Sequence, residues 1–191
     1  MTVLGTIEVP ECPRNGPPPR ARRILPLSLS AEAAYNFAED RLHSILRPAN
    51  GVYADLAEQD LLWIREPFRL PRRFDHLSPT AAERMGAVPA FVADLDPRGQ
   101  YSATLGRKWP ARNLLRCWHR QHAIVMGVKR VRLQDLTEEE ARGEGFVTRG
   151  AWAATWDKQR KSFGYRDLWK SNPVVLRIWL LPQWSPIGKE S

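Results

Sequence analysis

The sequence predicts an α+β fold that is mostly β, a small barrel of short strands with accessory helices. Three observations carry that expectation. Apolar or β-branched runs of strand length recur at 23–29, 61–65, 88–95, 123–131 and 174–181, set among Pro, Gly, Asn and Asp punctuation. Only brief helical patterns separate them, so the strand–helix–strand rhythm of a doubly wound sheet is missing. The 191 residues, 43% of them apolar, suffice for one domain with a real core.

Each element has its own signal. Residues 1–23 hold Pro10, Pro13, Pro17, Pro18 and Pro19 and end in Arg20, Arg22 and Arg23. Such a stretch forms neither helix nor ladder and reads as a flexible arm. One domain is expected over 24–182, with a tail at 183–191. A strand over Arg23–Leu29 leads into Ser30, the N-cap of a helix over 31–46 with Glu32 in its first turn. Ala34, Phe37, Ala38, Leu42 and Ile45 share one face of that helix, and Pro48 and Gly51 end it. Leu61–Arg65 is a strand closed by Pro67. An excursion over 67–87 carries a short helix near Pro79–Met85. Val88–Leu95 is a strand, and Asp96-Pro97-Arg98-Gly99 is a turn entering a second excursion, 97–115. Ala123–Val131 is a strand with Gly127 at a bulge. Thr137 then caps a helix with Glu140 as its capping-box partner, stopped by Gly143 or Gly145. A further helix over 151–161 stacks Trp152 on Trp156, and Asn172-Pro173 launches a strand over Val174–Leu181.

Several function classes lack their signals. The best apolar run, Val174–Leu181, is broken by Arg177, so no membrane span and no membrane partner is expected. The N-terminus has no apolar core of a secretory signal. Cys12 and Cys117 form no CxxC pair, which points to a cytoplasmic setting without disulfides. His119 and His122 are spaced as a helical metal pair but lack a third ligand, so no metal is expected. The phosphate-loop, dinucleotide and nucleophile-elbow glycine motifs are missing, and no cofactor is expected.

Charge is the strongest positive signal. The chain carries +8, and the whole excess fits inside Arg107–Arg132. That stretch holds Arg107, Lys108, Arg112, Arg116, Arg120, Lys129, Arg130 and Arg132 and no acid, with Trp109, Trp118, His119 and His122 interleaved. Such residues neutralise phosphates and stack on unpaired bases. The alternative is a solvated basic surface with its tryptophans in the core. Arg112, Arg116 and Arg120 make one ridge if 111–121 is helical, whereas Lys129 and Arg130 point to opposite faces of their strand. Alternation likewise sets Trp63 and Arg65 on one strand face and Ile64 and Glu66 on the other. Glu66 is the candidate general base, or else a structural ion-pair partner. Trp152 and Trp156 serve as packing or as a base-stacking platform.

Several segments resemble the ASCH family of PUA-like barrels in its phage and prophage form. Leu62-Trp63-Ile64-Arg65-Glu66 is similar to that family's LWVRE strand and Phe91-Val92-Ala93-Asp94 to its YRAD-like strand. Trp109-Pro110 and Arg116-Cys117-Trp118-His119-Arg120 resemble its W-x-P and RWASR-like segments. Val131 to Gly145, containing LQDLTEEEARGEG, matches its most specific run. Trp169, Asn172, Pro173, Val174 and Trp179 match its last strand loosely. The order holds over residues 24–182. The resemblance implies a PUA-like (ASCH) barrel, a bacterial host or phage origin, and contact with RNA or a modified nucleoside. The family's G-x-K-T-x-T-R-R motif, whose Lys and Thr are implicated in catalysis in the amidohydrolase branch, has no counterpart. Glu39-Asp40-Arg41-Leu42-His43-Ser44 stand there, and arginine cannot lose its proton as a catalytic lysine must.

The expectation is therefore a non-catalytic module that binds RNA or single-stranded DNA through Arg65, Arg107, Lys108, Arg112, Arg116, Trp118, Arg120, Lys129, Arg130 and Arg132. One alternative is a hydrolase acting on RNA or a modified nucleoside, with Glu66 as acid/base helped by Arg41 or His43. Another is a phage accessory protein acting through protein–protein contacts. The oligomeric state stays open.

Overall fold

The structure, a computed structural model, describes residues 22–95 and 104–184. The expected arm up to residue 21, the 96–99 turn and tail residues 185–191 lie outside the described residues. In chain order the elements begin with β1 (Ile24–Ser28), α1 (Ala31–Ala38), β2 (Ser44–Pro48), β3 (Leu61–Arg65), β4 (Phe68–Pro71) and α2 (Pro79–Arg84). They continue with β5 (Ala90–Phe91), β6 (Leu105–Trp109), β7 (His122–Arg132), α3 (Glu138–Gly143), α4 (Arg149–Ser162) and β8 (Val174–Gln183). Five strands form one sheet in the order β1-β3-β7-β8-β2, and three form a second in the order β5-β4-β6. Only β1 and β3 run parallel, with Ile24 opposite Leu61; the other pairs are antiparallel. The described residues thus make an α+β fold that is mostly β. Both sheets are open, with β1 and β2 as the edges of the larger one, and the expected closure into a barrel is not seen among them.

Alternation decides which faces are buried. In β3, Leu62 and Ile64 are fully buried beside Leu27, Val125 and Ile178, while α1 lays Ala34 and Phe37 on that core. A second cluster joins β2 to α3 and α4 through Leu46, Leu133, Leu136 and the stacked Trp152 and Trp156 rings, 5.3 Å apart at 17°. The small sheet covers a third around Phe68, Leu70, Phe74 and Leu114.

Two expectations are corrected, and one conditional reading is decided. The helix over 31–46 stops at Ala38, because Asp40 takes a left-handed conformation (φ 53°) and the Arg41 amide donates back to Asn36. Leu42 and Ile45 fit a helical face, yet Ile45 pairs with Ile178 in the sheet. The strand expected over Val88–Leu95 is only Ala90–Phe91, after which residues 92–94 coil into a 3₁₀ turn held by the Val92 amide on the Pro67 carbonyl. The 111–121 segment is not a helix: two 3₁₀ turns, Ala111–Asn113 and Arg116–Trp118, flank extended Leu114 and Leu115 because Leu114 is drawn into the small-sheet core. The strand β4 and the strand character of β2 and β6 went unread.

The LQDLTEEEARGEG run folds as a clasp. Thr137 and Glu140 form the reciprocal capping box of α3. Glu140 also accepts from the Ser44 hydroxyl and pairs with Arg177, while buried Glu144 accepts from the Leu46 amide and from Arg47 at 3.1 Å. Asn36 donates to the Arg142 and Gly143 carbonyls. One short helix thereby ties β2, β8 and α1 together. The bulge in β7 falls between Val125 and Gly127, and the register resumes with Gly127 opposite Trp179.

Candidate nucleic-acid interface

The chain places Glu66 immediately after β3, with its carboxylate fully buried. Arg120, just before β7, meets it with both edges of its fork: Nε to Oε1 and Nη2 to Oε2, each 2.9 Å. The same guanidinium grips Asp94 at 2.6 and 2.9 Å and lies over the Phe91 ring, 4.2 Å from its centroid. Gln121 adds a long bond, 3.4 Å, to Glu66. Burial disfavours the charge of Arg120, but the hydrogen bonds to Glu66 and Asp94 outweigh it and hold the guanidinium above its ordinary pKa. A buried carboxylate whose two oxygens both face one arginine is placed as an ion-pair anchor.

Arg65 turns to the other face of β3, as alternation requires. It lies over Trp63 (5.5 Å), donates to the Arg112 carbonyl, and is lowered in pKa by burial, with Tyr53 opposing. Arg41 leans on Tyr35 and pairs with Glu39 at 3.8 Å, and His43 pairs with Asp40 at 3.7 Å. Glu66, Arg65, Arg41 and His43 therefore do not converge on one another. Asp94 instead lines a cleft of about 670 Å³ opposite Glu32, Tyr35 and Glu39 of α1, with Trp184 at its side. Among the described residues three carboxylates and no lysine or arginine line that cleft, a lining that repels phosphate.

The continuous basic run of the sequence separates in space. Arg107 and Lys108 lie exposed on β6, with Arg112 and Arg116 exposed on the two 3₁₀ turns that follow. None of the four makes an ion pair among the described residues. Arg107 stacks over Trp109 at 3.9 Å, and Trp109 and Trp118 both pack on buried Phe68, which makes them half core and half surface. Lys129, Arg130 and Arg132 sit at the far end of β7, seven to ten residues from His122 or roughly 23–33 Å along a strand. Lys129 faces Arg177 across the ladder, and Arg132 is tied to the Asn172 carbonyl. Arg120 is committed to the ion-pair cluster. His119 packs edge-on against Trp63 and bonds the Arg116 carbonyl, and His122 pairs opposite Trp63. Among the described residues no group of three or more His, Cys, Asp or Glu could hold a metal, and no helix is long and apolar enough to cross a membrane.

Asp94 is the member of the cluster that residue-by-residue reading did not single out. Its signal was positional: Glu66, Asp94 and Arg120 are the last residues of the LWIRE, FVAD and RCWHR segments. In comparisons with known proteins, the chain matches no family model, no curated protein and no solved structure.

Proposed function

We propose that this chain is a nucleic-acid-binding module related to the PUA-like ASCH proteins, contacting RNA or single-stranded DNA without catalysis. The observation that carries the binding reading is the exposed group Arg107, Lys108, Arg112 and Arg116, unpaired among the described residues, with the Arg107–Trp109 stack beside it. Phosphates are met by the cations, and an unstacked base finds a guanidinium and an indole plane. The family relationship is supported by the meeting of three resembling segments at Glu66, Asp94 and Arg120, which gives their shared end positions one physical purpose. The commitment of Glu66 to Arg120 favours binding over hydrolysis.

The test is fluorescence anisotropy with a short single-stranded oligonucleotide across a salt series. Four neutralised phosphates give a slope of log K against log salt of about −3 for single strands. Replacing Arg107 and Arg112 by alanine flattens that slope by about 1.4 and weakens binding, whereas Lys129→Ala with Arg130→Ala leaves it nearly unchanged. No binding at low salt, or a salt-independent signal, overturns the reading. Retention of a protein partner through nuclease and high-salt washing would favour the accessory-protein alternative.

A further inference from the structure

We propose that the pocket between the N-terminus of α1, strand β2 and helix α4 binds a small aromatic anion, a flat ring bearing one carboxylate or phosphate. The pocket has a volume of about 340 Å³, within the size range of small-molecule sites. Its walls are mostly apolar: Leu29 and Leu46 lie on the sheet side, Trp152 and Trp156 on the α4 side, and Phe146 between. Phe163 stands at the end of α4, 73% exposed, an aromatic with little packing of its own. Flat apolar walls of this kind suit a ring rather than a bare inorganic ion.

The polar groups set the sign of the ligand. Arg47 directs Nη1 to the Leu46 carbonyl and Glu144, leaving Nε and Nη2 without a bond among the described residues. Arg160, only 9% exposed, gives Nε and Nη2 to Asp167 and stacks on Tyr165 at 3.8 Å, leaving Nη1 uncommitted among the described residues. Each guanidinium is thus paired with one carboxylate, Arg47 with Glu144 and Arg160 with Asp167, and keeps N–H donors beyond that pair for a ligand. The positive end of the eight-residue α1, capped by Ser30, opens on the same space. Two half-used guanidiniums, a helix N-terminus and aromatic walls describe recognition of an anion carried on a ring. A cation finds donors rather than acceptors on the guanidiniums, and a neutral ring leaves those donors desolvated and unpaired.

Gln159 lines the pocket from the exposed face of α4, and among the described residues its side chain makes no hydrogen bond. It can therefore carry a charge probe without disturbing the core. The full chain is titrated calorimetrically with indole-3-carboxylate and indole-3-carboxamide, and separately with adenosine 5′-monophosphate and adenosine. Saturable binding is expected for at least one anion, about tenfold or more tighter than for its neutral counterpart. Gln159→Glu weakens that binding about fivefold and Gln159→Lys strengthens it, with unchanged circular dichroism in both. Preference for the monophosphate would assign the ligand to nucleotides, and preference for the carboxylate to free aromatic acids. No saturable binding by either anion overturns the proposal. Equal affinity for charged and neutral partners overturns it too, as does indifference to the sign of the charge at 159.

Discussion

Replacing Glu66 by glutamine probes whether the buried carboxylate is an anchor or a reactive group. The substitution keeps the shape and removes the charge that Arg120 holds with two 2.9 Å bonds. Breaking a buried pair from one side costs about 3–5 kcal/mol when the surviving charge has no other partner. Here the surviving Arg120 side chain is 25% exposed and keeps Asp94, so Glu66→Gln is expected to cost about 2–3 kcal/mol. Arg120→Met leaves the opposite remnant, a carboxylate 1% exposed with only the long Gln121 bond, and is expected to cost about 4 kcal/mol. Asp94 is 55% exposed, and Asp94→Asn should cost less than about 1 kcal/mol. Urea unfolding followed by tryptophan fluorescence measures all three, and for a chain of this length each kcal/mol moves Tm by about 2–4 °C. The ranking is the test. Equal losses for Asp94→Asn and Arg120→Met would refute the burial argument. A neutral or stabilising Glu66→Gln would mean that the carboxylate is held at a cost for function, which would revive the hydrolase alternative.

Further outcomes follow from single features. Burial raises the Tyr53 hydroxyl above its usual value of 10, against the pull of Arg47 and Arg65. The folded state then holds the proton more tightly than the unfolded state. This stabilisation is complete below the unfolded pKa and is lost as pH rises through the folded one. Tyr53→Phe should flatten that alkaline loss in unfolding titrations while costing about 1 kcal/mol at neutral pH for the bond to the Pro26 carbonyl. Gly145→Ala should cost more than Gly51→Ala in denaturant unfolding. Both have positive φ, worth about 1–2 kcal/mol, but only at 145 does a new Cβ fall 2.9 Å from Glu32 Cβ. Thr137→Ala should lose about 1 kcal/mol with its cap. Glu140→Gln should lose more, since that carboxylate also holds Arg177 and Ser44.

Where local chemistry decides the backbone, the residues were readable. Ser30 and Thr137 cap the helices expected of them, Trp152 stacks on Trp156, and β3, β7 and β8 lie where alternation put them. The failures come where a tertiary contact outweighs a local pattern. Ile45 satisfies a helical period and a strand equally well, and pairing with β8 chose the strand. Arg112, Arg116 and Arg120 keep a perfect i, i+4 spacing, yet burial of Leu114 and the Arg120 ion pairs break the segment into turns. Asp94 could not be read as a partner of Glu66, because nothing local to either residue reports a contact made through Arg120.

The same logic separates two kinds of signal that look alike in one dimension. LQDLTEEEARGEG is the most specific stretch of the resemblance, yet its polar side chains cap α3 and hold β2 and β8 while its backbone carbonyls hold Asn36 of α1, which gives it structural work. Arg107–Arg132 looked like one patch, but β7 carries three of its cations to the far end of a strand and Arg120 turns inward. What stays grouped among the described residues is a set of four, Arg107, Lys108, Arg112 and Arg116, on the smaller sheet and the turns that follow it. A polyanion reading that began from +8 over the whole chain thus narrows to four charges. A salt slope near −3, rather than one approaching −6 for eight contacts, is the quantity that distinguishes the local surface from the global charge.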